Sequence, residues 1–350
     1  MRMYPIIVIL LFIIACPVSA LETDGKNLPH VVILGTGGTI AGTAPSSAEL
    51  VEYTTANLSV DQLVTSVPEL STYATLTAEQ ICNIDSREMT PAIWLTLSQR
   101  VNDVLADPTV DGVVITHGTD TLEETAYFLN LVIKSEKPVV ITGSMRPATA
   151  LSADGPLNLM NAVRLAGDPD AKGRGVLICL NNEINGARDT TKTSTEMVET
   201  FRSPDFGLLG YYQNGKPAFY RESTRCHTAS SDFNLTGITT LPRVDIVYAY
   251  AGMDTTAIDA FSENKTQGIV FASLGNGGYP QIVRKALLNL SEQGTPVVIS
   301  SRTGTGITIP GDALLISGDT LNPQKARILL MVALTQTRDP ETIRKMFEEY

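Results

Sequence analysis

An α/β fold is predicted, with a larger N-terminal and a smaller C-terminal α/β domain, mainly parallel sheets, and an active site at the carboxyl ends of the strands. Three features of the sequence predict it. Short runs rich in Val and Ile recur without polar alternation, the mark of strands buried on both faces of a parallel sheet. Amphipathic stretches that open on an N-cap residue followed by proline sit between them. A polar segment from about Tyr211 to Pro242 breaks the alternation and marks a junction between two such units.

In chain order, residues 1–20 read as a signal peptide. Arg2 supplies the positive charge, and Ile6 to Ala15 is an unbroken apolar run of ten residues, too short for a bilayer-spanning helix of about 20 residues. Val18-Ser19-Ala20 forms a small-residue cleavage site, which places the mature protein in the periplasm or outside the cell. Ile13-Ile14-Ala15-Cys16, similar to a bacterial lipobox, is the alternative and would leave a lipid anchor on Cys16. The N-terminal domain is expected over residues 29–215, with strands at His30–Thr36, Gly112–Thr116, Pro138–Gly143 and Gly175–Leu180. Thr90-Pro91 opens a helix through Trp94, Leu95, Leu97 and Val101. A linker occupies 216–242. The C-terminal domain spans 243–350, with strands at Asp245–Tyr250, Gly268–Ser273 and Pro296–Ser301. Asn322-Pro323 starts a helix running to about Thr337, and Asp339-Pro340 starts a last one.

Composition narrows the function classes. The 350 residues carry a formal net charge of −11, which argues against a nucleic-acid partner, since that needs a basic surface to neutralise phosphates. No fixed-period repeat points to a solenoid. Cleavage after Ala20 leaves Cys82, Cys179 and Cys226, an odd number that rules out a complete disulfide framework. Cys179 lies in an apolar run and reads as a core thiol. The three histidines, His30, His117 and His227, are too scattered for a metal site or a Ser-His-Asp triad.

Three clusters carry the chemistry. The first strand runs into Gly35-Thr36-Gly37-Gly38-Thr39-Ile40-Ala41-Gly42. Ile40 stands where a dinucleotide fingerprint needs its third glycine, so the loop is not read as a nucleotide cradle. Such a loop can instead bring backbone N–H groups close to a reacting oxygen, with Thr39 as a nucleophile, although taken alone it is better explained by a structural turn with a buried threonine. The second cluster, Thr116-His117-Gly118-Thr119-Asp120-Thr121-Leu122-Glu123-Glu124, follows a strand and leads into a helix. Capping accounts for Thr119 and Asp120, and favourable dipole placement for Glu123 and Glu124. The third, Gly186-Ala187-Arg188-Asp189-Thr190-Thr191-Lys192-Thr193, sets a lysine among hydroxyls, where burial could make it a base, although in isolation it is better read as a solvated lysine.

Together these clusters resemble the bacterial L-asparaginase family in its exported, type II form. The similarity rests on Thr36–Gly42 and His117–Thr121, supported by Met145-Arg146-Pro147, Ser152–Pro156, Arg188-Asp189 with Lys192, and Leu321–Arg327. It covers nearly all of the chain after the signal segment. The resemblance implies an amidohydrolase that converts L-asparagine, with L-glutamine as a further amide, to the acid and ammonia. It implies Thr39 as the nucleophile and Tyr53 as its activator on a closing segment. Thr119, Lys192 and Asp120 would form a proton relay, and backbone amides near Gly38 and Thr119 an oxyanion site. Asp120 would hold the substrate ammonium, and Asp85 (through its backbone) with Ser86 would hold the α-carboxylate. No cofactor or metal is implied. The implied assembly is a homotetramer, a dimer of intimate dimers whose sites are completed across subunit boundaries.

The sequence departs from that family where the substrate amino group is recognised. Arg87 replaces a glutamine or glutamate, Gly278 replaces an asparagine or serine, and the segment Gly304–Leu314 is short, leaving Asp312 as the nearest substitute for a glutamate. Leu105 and Ser135 stand where some relatives have a cysteine pair. The expectation is therefore intact hydrolytic machinery with altered ammonium recognition. A glutaminase-asparaginase is the alternative enzyme, and an exported solute-binding protein the remote alternative of another class.

Overall fold

The computed structural model describes residues 28–350; the signal peptide and lipobox readings lie outside them. In the larger domain the elements are β1 (His30–Gly37), α1 (Val60–Thr65), β2 (Thr75–Ile84), α2 (Pro91–Ala106), β3 (Gly112–Thr116), α3 (Leu122–Val132), β4 (Val139–Thr142), α4 (Gly155–Ala166), β5 (Val176–Leu180), β6 (Glu183–Gly186), β7 (Thr191–Lys192), β8 (Phe201–Arg202), β9 (Gly210–Gln213) and β10 (Lys216–Phe219). The smaller domain holds β11 (Val244–Tyr248), α5 (Thr256–Glu263), β12 (Gly268–Ser273), α6 (Gln281–Glu292), β13 (Val297–Ser301), β14 (Ile316–Ser317), α7 (Pro323–Ala333) and α8 (Pro340–Glu349).

The large sheet has eight strands in the order β10-β9-β6-β5-β4-β3-β1-β2. From β2 to β5 all neighbours are parallel, whereas β6, β9 and β10 extend the sheet antiparallel. The inner parallel strands β1, β3, β4 and β5 are largely apolar because both their faces are covered, whereas β2 at the edge is mixed. Period-two alternation sorts their side chains between the two faces: Val32 and Leu34 of β1 join the layer of α2 and α3, while Val31 and Ile33 join the layer of α1 and α4. Cys179 of β5 is fully buried in the second layer, as read from the sequence, and its burial pushes the thiol up to about 12. All three described cysteines are free.

The four strands of the smaller sheet, β11-β12-β13-β14, are parallel. α5 and α6 supply Ile258, Val283 and Leu287 to one face. The other face is covered by α7, which also packs against α3. One apolar cluster therefore runs from Trp94, Ile115 and Phe128 through Leu329 and Val332 to Val270 and Val298, and joins the two domains. Caps read from the sequence form as side-chain bonds: Thr90 accepts from Ile93 N (3.3 Å), Asn322 from Lys325 N (3.0 Å) and Asp339 from Thr342 N (2.8 Å). Each such cap is worth about 1 kcal/mol.

Two expectations are corrected. β10 falls within 216–242, the stretch assigned to the linker, yet pairs with β9 in the large sheet, so the connection between the sheets begins at Tyr220. The helix opened by Pro323 ends at Ala333 rather than near Thr337, closing in a turn in which Gln336 and Thr337 both donate to Ala333 O. Among the described residues no helix is long and apolar enough to cross a membrane.

Candidate active site

Chain order and sheet order fix where the site falls. From β1 the chain moves outward to β2, then crosses back to place β3 on the other side of β1. The connections after β1 and β3 therefore leave in opposite directions and open a crevice at the carboxyl ends of these two strands, the usual ligand position in such sheets. Thr39 follows β1 and Thr119 follows β3.

The two loops meet backbone to backbone. Gly37 and Gly38 have φ of 100° and 84°, where side chains are disfavoured. A Cβ on Gly38 would lie 2.2 Å from Gly118 Cα, and one on Gly118 would lie 2.7 Å from Ser86 Oγ. Glycines at 38 and 118 thus allow an approach that brings the threonines following them to one pocket. β2 adds a third side: it ends beside Gly37 and delivers Asp85-Ser86-Arg87 to the same rim. Ser86 ties the loops together by accepting from Asp120 N at Oγ (3.3 Å) and from Thr121 Oγ1 at its carbonyl (2.8 Å).

The resulting cavity, about 280 Å3, is lined by Gly38, Thr39, Tyr53, Asp85, Ser86, Arg87, Thr119, Asp120 and Lys192, together with Val51, Thr55, Gly118, Met145 and Thr195. It is small and polar, of the size that suits an amino acid. Thr39 Oγ1 and Tyr53 OH share a hydrogen bond of 2.8 Å. The segment carrying Tyr53 is tied back by the paired backbone bonds of Thr43 and Thr54 (2.9 and 3.0 Å). On the other wall Lys192 Nζ donates to Thr119 Oγ1 (2.9 Å) and to Asp120 Oδ1 (2.7 Å). Lys192 comes from β7, whose short ladder with β8 holds its backbone extended.

The electrostatics depart from the expectation of a free anion for the substrate. Arg87 Nε and Nη2 clasp both oxygens of Asp85 (3.0 and 2.7 Å), and Asp85 Oδ1 also accepts from Arg87 N (2.9 Å). The guanidinium holds the Asp85 carboxyl down at about 2. Asp120 is paired with Lys192. Each of the two carboxylates lining the pocket thus already has a cation, and the Arg87 side chain is 72% exposed at the mouth.

Several readings are revised. Asp312 lies outside the cavity of its own chain, where Arg284 grips both its oxygens (2.8 and 2.6 Å) in the smaller domain. The N–H of Gly38 is taken by Ile84 O (2.9 Å), so this amide is not free for an oxyanion. The N–H of Thr39 opens a single 3-10 turn (Thr39–Ala41), a position whose donor the turn cannot satisfy internally. His117 is fully buried, with Nδ1 on Gly118 O (2.7 Å) and Nε2 on Thr125 Oγ1 (2.9 Å), and it shapes the loop from behind. Thr119 and Asp120 do not cap α3; its N-cap is Thr121, with no side-chain bond.

Glu123 stands directly behind the site, a placement that the local sequence pattern does not reveal. Its place in the first turn of α3 suits the helix dipole, yet it is buried and accepts from Thr191 Oγ1 (2.8 Å) and Lys192 N (3.2 Å). No local pattern marks it: α3 also carries Glu124, Thr125 and Asn130, and only the packing of the folded chain decides that Glu123 turns inward, where a carboxylate must find partners. Among the described residues no group of three or more His, Cys, Asp or Glu is placed to hold a metal ion.

Two hydroxyls on opposite loops, one bonded to a phenol and the other to an amine–carboxylate pair, make an arrangement suited to nucleophilic acyl transfer. Family comparisons agree with the fold. Residues 30–225 match the model described as asparaginase, N-terminal, and residues 243–347 match the glutaminase/asparaginase C-terminal domain. This chain belongs to the bacterial asparaginase family. It is 47% identical over 336 residues to L-asparaginase 2 of Bacillus subtilis, covering 95% of this chain and 89% of that protein. It is 45% identical over 350 residues to a glutaminase-asparaginase of Pseudomonas fluorescens, covering 98% and 96%. The crystal structure of a probable cytoplasmic L-asparaginase from Campylobacter jejuni superposes with a TM-score of 0.90 at 46% identity, covering 92% of this chain and all of that one.

Proposed function

We propose that this chain is an L-asparaginase, hydrolysing L-asparagine to L-aspartate and ammonia through a threonine nucleophile. The observation that carries this reading is the meeting in one small cavity of Thr39, hydrogen-bonded to Tyr53, and Thr119, hydrogen-bonded to Lys192. Thr39 Oγ1 bonds to the side-chain amide carbon while its proton passes towards Tyr53. Collapse breaks the C–N bond, the nitrogen takes up a proton, and ammonia leaves. Water then adds to the threonyl ester, gives up a proton through Thr119 to the Lys192–Asp120 pair, and releases aspartate with Thr39 restored. Ser86 and the backbone at Asp85 bind the α-carboxylate, and the segment bearing Tyr53 closes over the bound substrate to exclude water.

Ammonia release by the wild type and by Thr39→Ala tests the reading. Loss of the nucleophile should lower kcat by at least about 10³-fold, whereas a variant that keeps native turnover removes Thr39 from the mechanism. A solute-binding protein would bind asparagine without releasing ammonia in either form.

A second reading concerns specificity. Because Asp85 is engaged by Arg87 and Asp120 by Lys192, a free α-ammonium finds no unpaired carboxylate in the cavity of one chain. An asparaginase with altered amino-group recognition should tolerate N-acylated asparagine, and kinetics on asparagine, glutamine and N-acetylasparagine separate this from a strict asparaginase. The functional unit proposed is a homotetramer, a dimer of dimers, exported with cleavage near Ala20 or anchored through lipidated Cys16. The mass of the mature protein and of its native assembly decides both.

A further inference from the structure

Behind the lysine of the site lies a buried ion pair that joins the two domains. Glu123 of α3 and Lys325 of α7 are both nearly inaccessible, with Lys325 Nζ 3.7 Å from Glu123 Oε2. Each directs hydrogen bonds onto the segment that carries Lys192. Glu123 Oε1 accepts from Thr191 Oγ1 (2.8 Å) and Lys192 N (3.2 Å), and Oε2 accepts from Asn322 Nδ2 (3.0 Å). Lys325 Nζ donates to the carbonyls of Ala187 and Arg188 (both 2.9 Å) and of Thr190. Removing such a pair from water costs several kcal/mol per ion, so it is a poor source of stability. What it supplies here is position, through five hydrogen bonds onto residues 187–192.

We propose that Glu123 and Lys325 are positioning residues for Lys192, a two-domain clamp that sets where the Lys192 amine meets Thr119 and Asp120. The inference rests on the relay role of Lys192 given above. A misplacement of about 1 Å in such an arrangement can cost about 10²-fold in rate. The residue reaching across from the smaller domain is held by its own element, since Asn322 both caps α7 and bonds Glu123, so docking of α7 and placement of Lys192 are one event. The charged groups around the pair are Asp189 and Arg188 on the held segment, Glu124 on α3 and Arg327 on α7. Facing the Lys192 amine is Asp120, with Arg87 across the cavity.

The test uses the full chain and compares kcat, KM and the pH profile of kcat for asparagine, each normalised to folded protein. Glu123→Ala and Lys325→Met should lower kcat about 10²-fold with KM changed less than about threefold, and move a limb of the kcat–pH profile by about one unit. Glu123→Gln, which keeps an acceptor for Thr191 and the Lys192 amide, should recover most of the rate. A merely structural role lowers the folded fraction equally at every pH and leaves the profile in place. If Glu123→Ala and Lys325→Met do not fold, Glu123→Gln and Asn322→Ala carry the test, with smaller losses and the same displaced profile. Native profiles and kcat in the folded variants overturn the clamp. Lys192→Met is measured alongside: native turnover there overturns the relay itself, whereas an inactive Lys192→Met with native Glu123 variants overturns only the clamp.

Discussion

At the scale of single residues, the site is decided by what is missing as much as by what is present. Without a Cβ at 38 and 118 the two threonine loops reach contact: a side chain at 38 would collide with the backbone of Gly118, which has no alternative rotamer, and one at 118 would collide with the Ser86 side chain. Arg87 is the opposite case, a large exposed group that adds charge at the mouth of the cavity. Its clasp on Asp85 does not titrate in the working range, because the carboxyl held at about 2 stays ionised throughout mild acid. A guanidinium at the mouth repels an incoming ammonium, and salt screens that repulsion. Arg87→Gln removes that repulsion and frees the Asp85 carboxylate. KM for asparagine should fall about fivefold with kcat within twofold of native, and the difference should shrink as salt rises. A KM that stays put or rises in Arg87→Gln removes Arg87 from amino-group recognition.

At the scale of elements, β3 and α3 form the unit on which the site is built, and His117 is the pin between them. Its neutral ring donates from Nδ1 to Gly118 O and accepts at Nε2 from Thr125, whose oxygen in turn accepts from Trp94 Nε1 (2.8 Å). Burial pushes the imidazole down to about 4. The unfolded chain binds a proton there near pH 6.5 and the folded chain only near 4, so between these values the unfolded state holds more protons. Stability from this group is therefore present above pH 6.5 and lost as pH falls towards 4, by up to about 3 kcal/mol. Urea unfolding at pH 7 and pH 4.5 should show a stability loss that is smaller by about 2 kcal/mol in His117→Gln than in the native chain; equal losses in both would show that the imidazole does not drive it. This unit was legible in the sequence, since strands covered on both faces are written as unbroken Val and Ile runs. β2 was not, because it is an edge strand whose half-exposed residues, Thr75 to Ile84, mix polar and apolar side chains. The strands from β7 to β10 are two to four residues long and carry no periodicity to read. The three clusters that meet at the cavity were legible as local patterns. Glu123 and Lys325 were not, because the covering of α3 on several sides, including by α7, is a fact of tertiary structure.

At the scale of the molecule, the segment that carries the lysine is also where the two domains are fastened. Arg188, nearly inaccessible, donates from Nε to Tyr350 O (2.6 Å), from Nη1 to Asp189 (3.0 Å) and Thr320 (2.9 Å), and from Nη2 to Asp319 (3.0 Å). Asp319 also takes Arg225 Nη2 (2.8 Å) and sits at φ 51°, a left-handed conformation that these contacts hold in place. The guanidinium thus gathers the larger domain, the loop before α7 and the residue after α8 at one point. Removing one member of a buried charge network costs about 3–5 kcal/mol, because the partners keep their desolvation penalty. Lysine restores the charge but not the planar fork, so it recovers only part of this. Arg188→Met should lower the thermal midpoint by at least about 5 °C, with Arg188→Lys in between. Because the Arg188 carbonyl is also an acceptor for Lys325, the same substitution should loosen the lysine segment and reduce turnover at temperatures well below unfolding. Calorimetry together with ammonia release at 25 °C distinguishes the two effects. A midpoint within a degree of native in Arg188→Met means that the apolar layer shared by α3 and α7, with the Lys325 and Asn322 contacts, holds the domains together, and the Arg188 fastening is then dispensable.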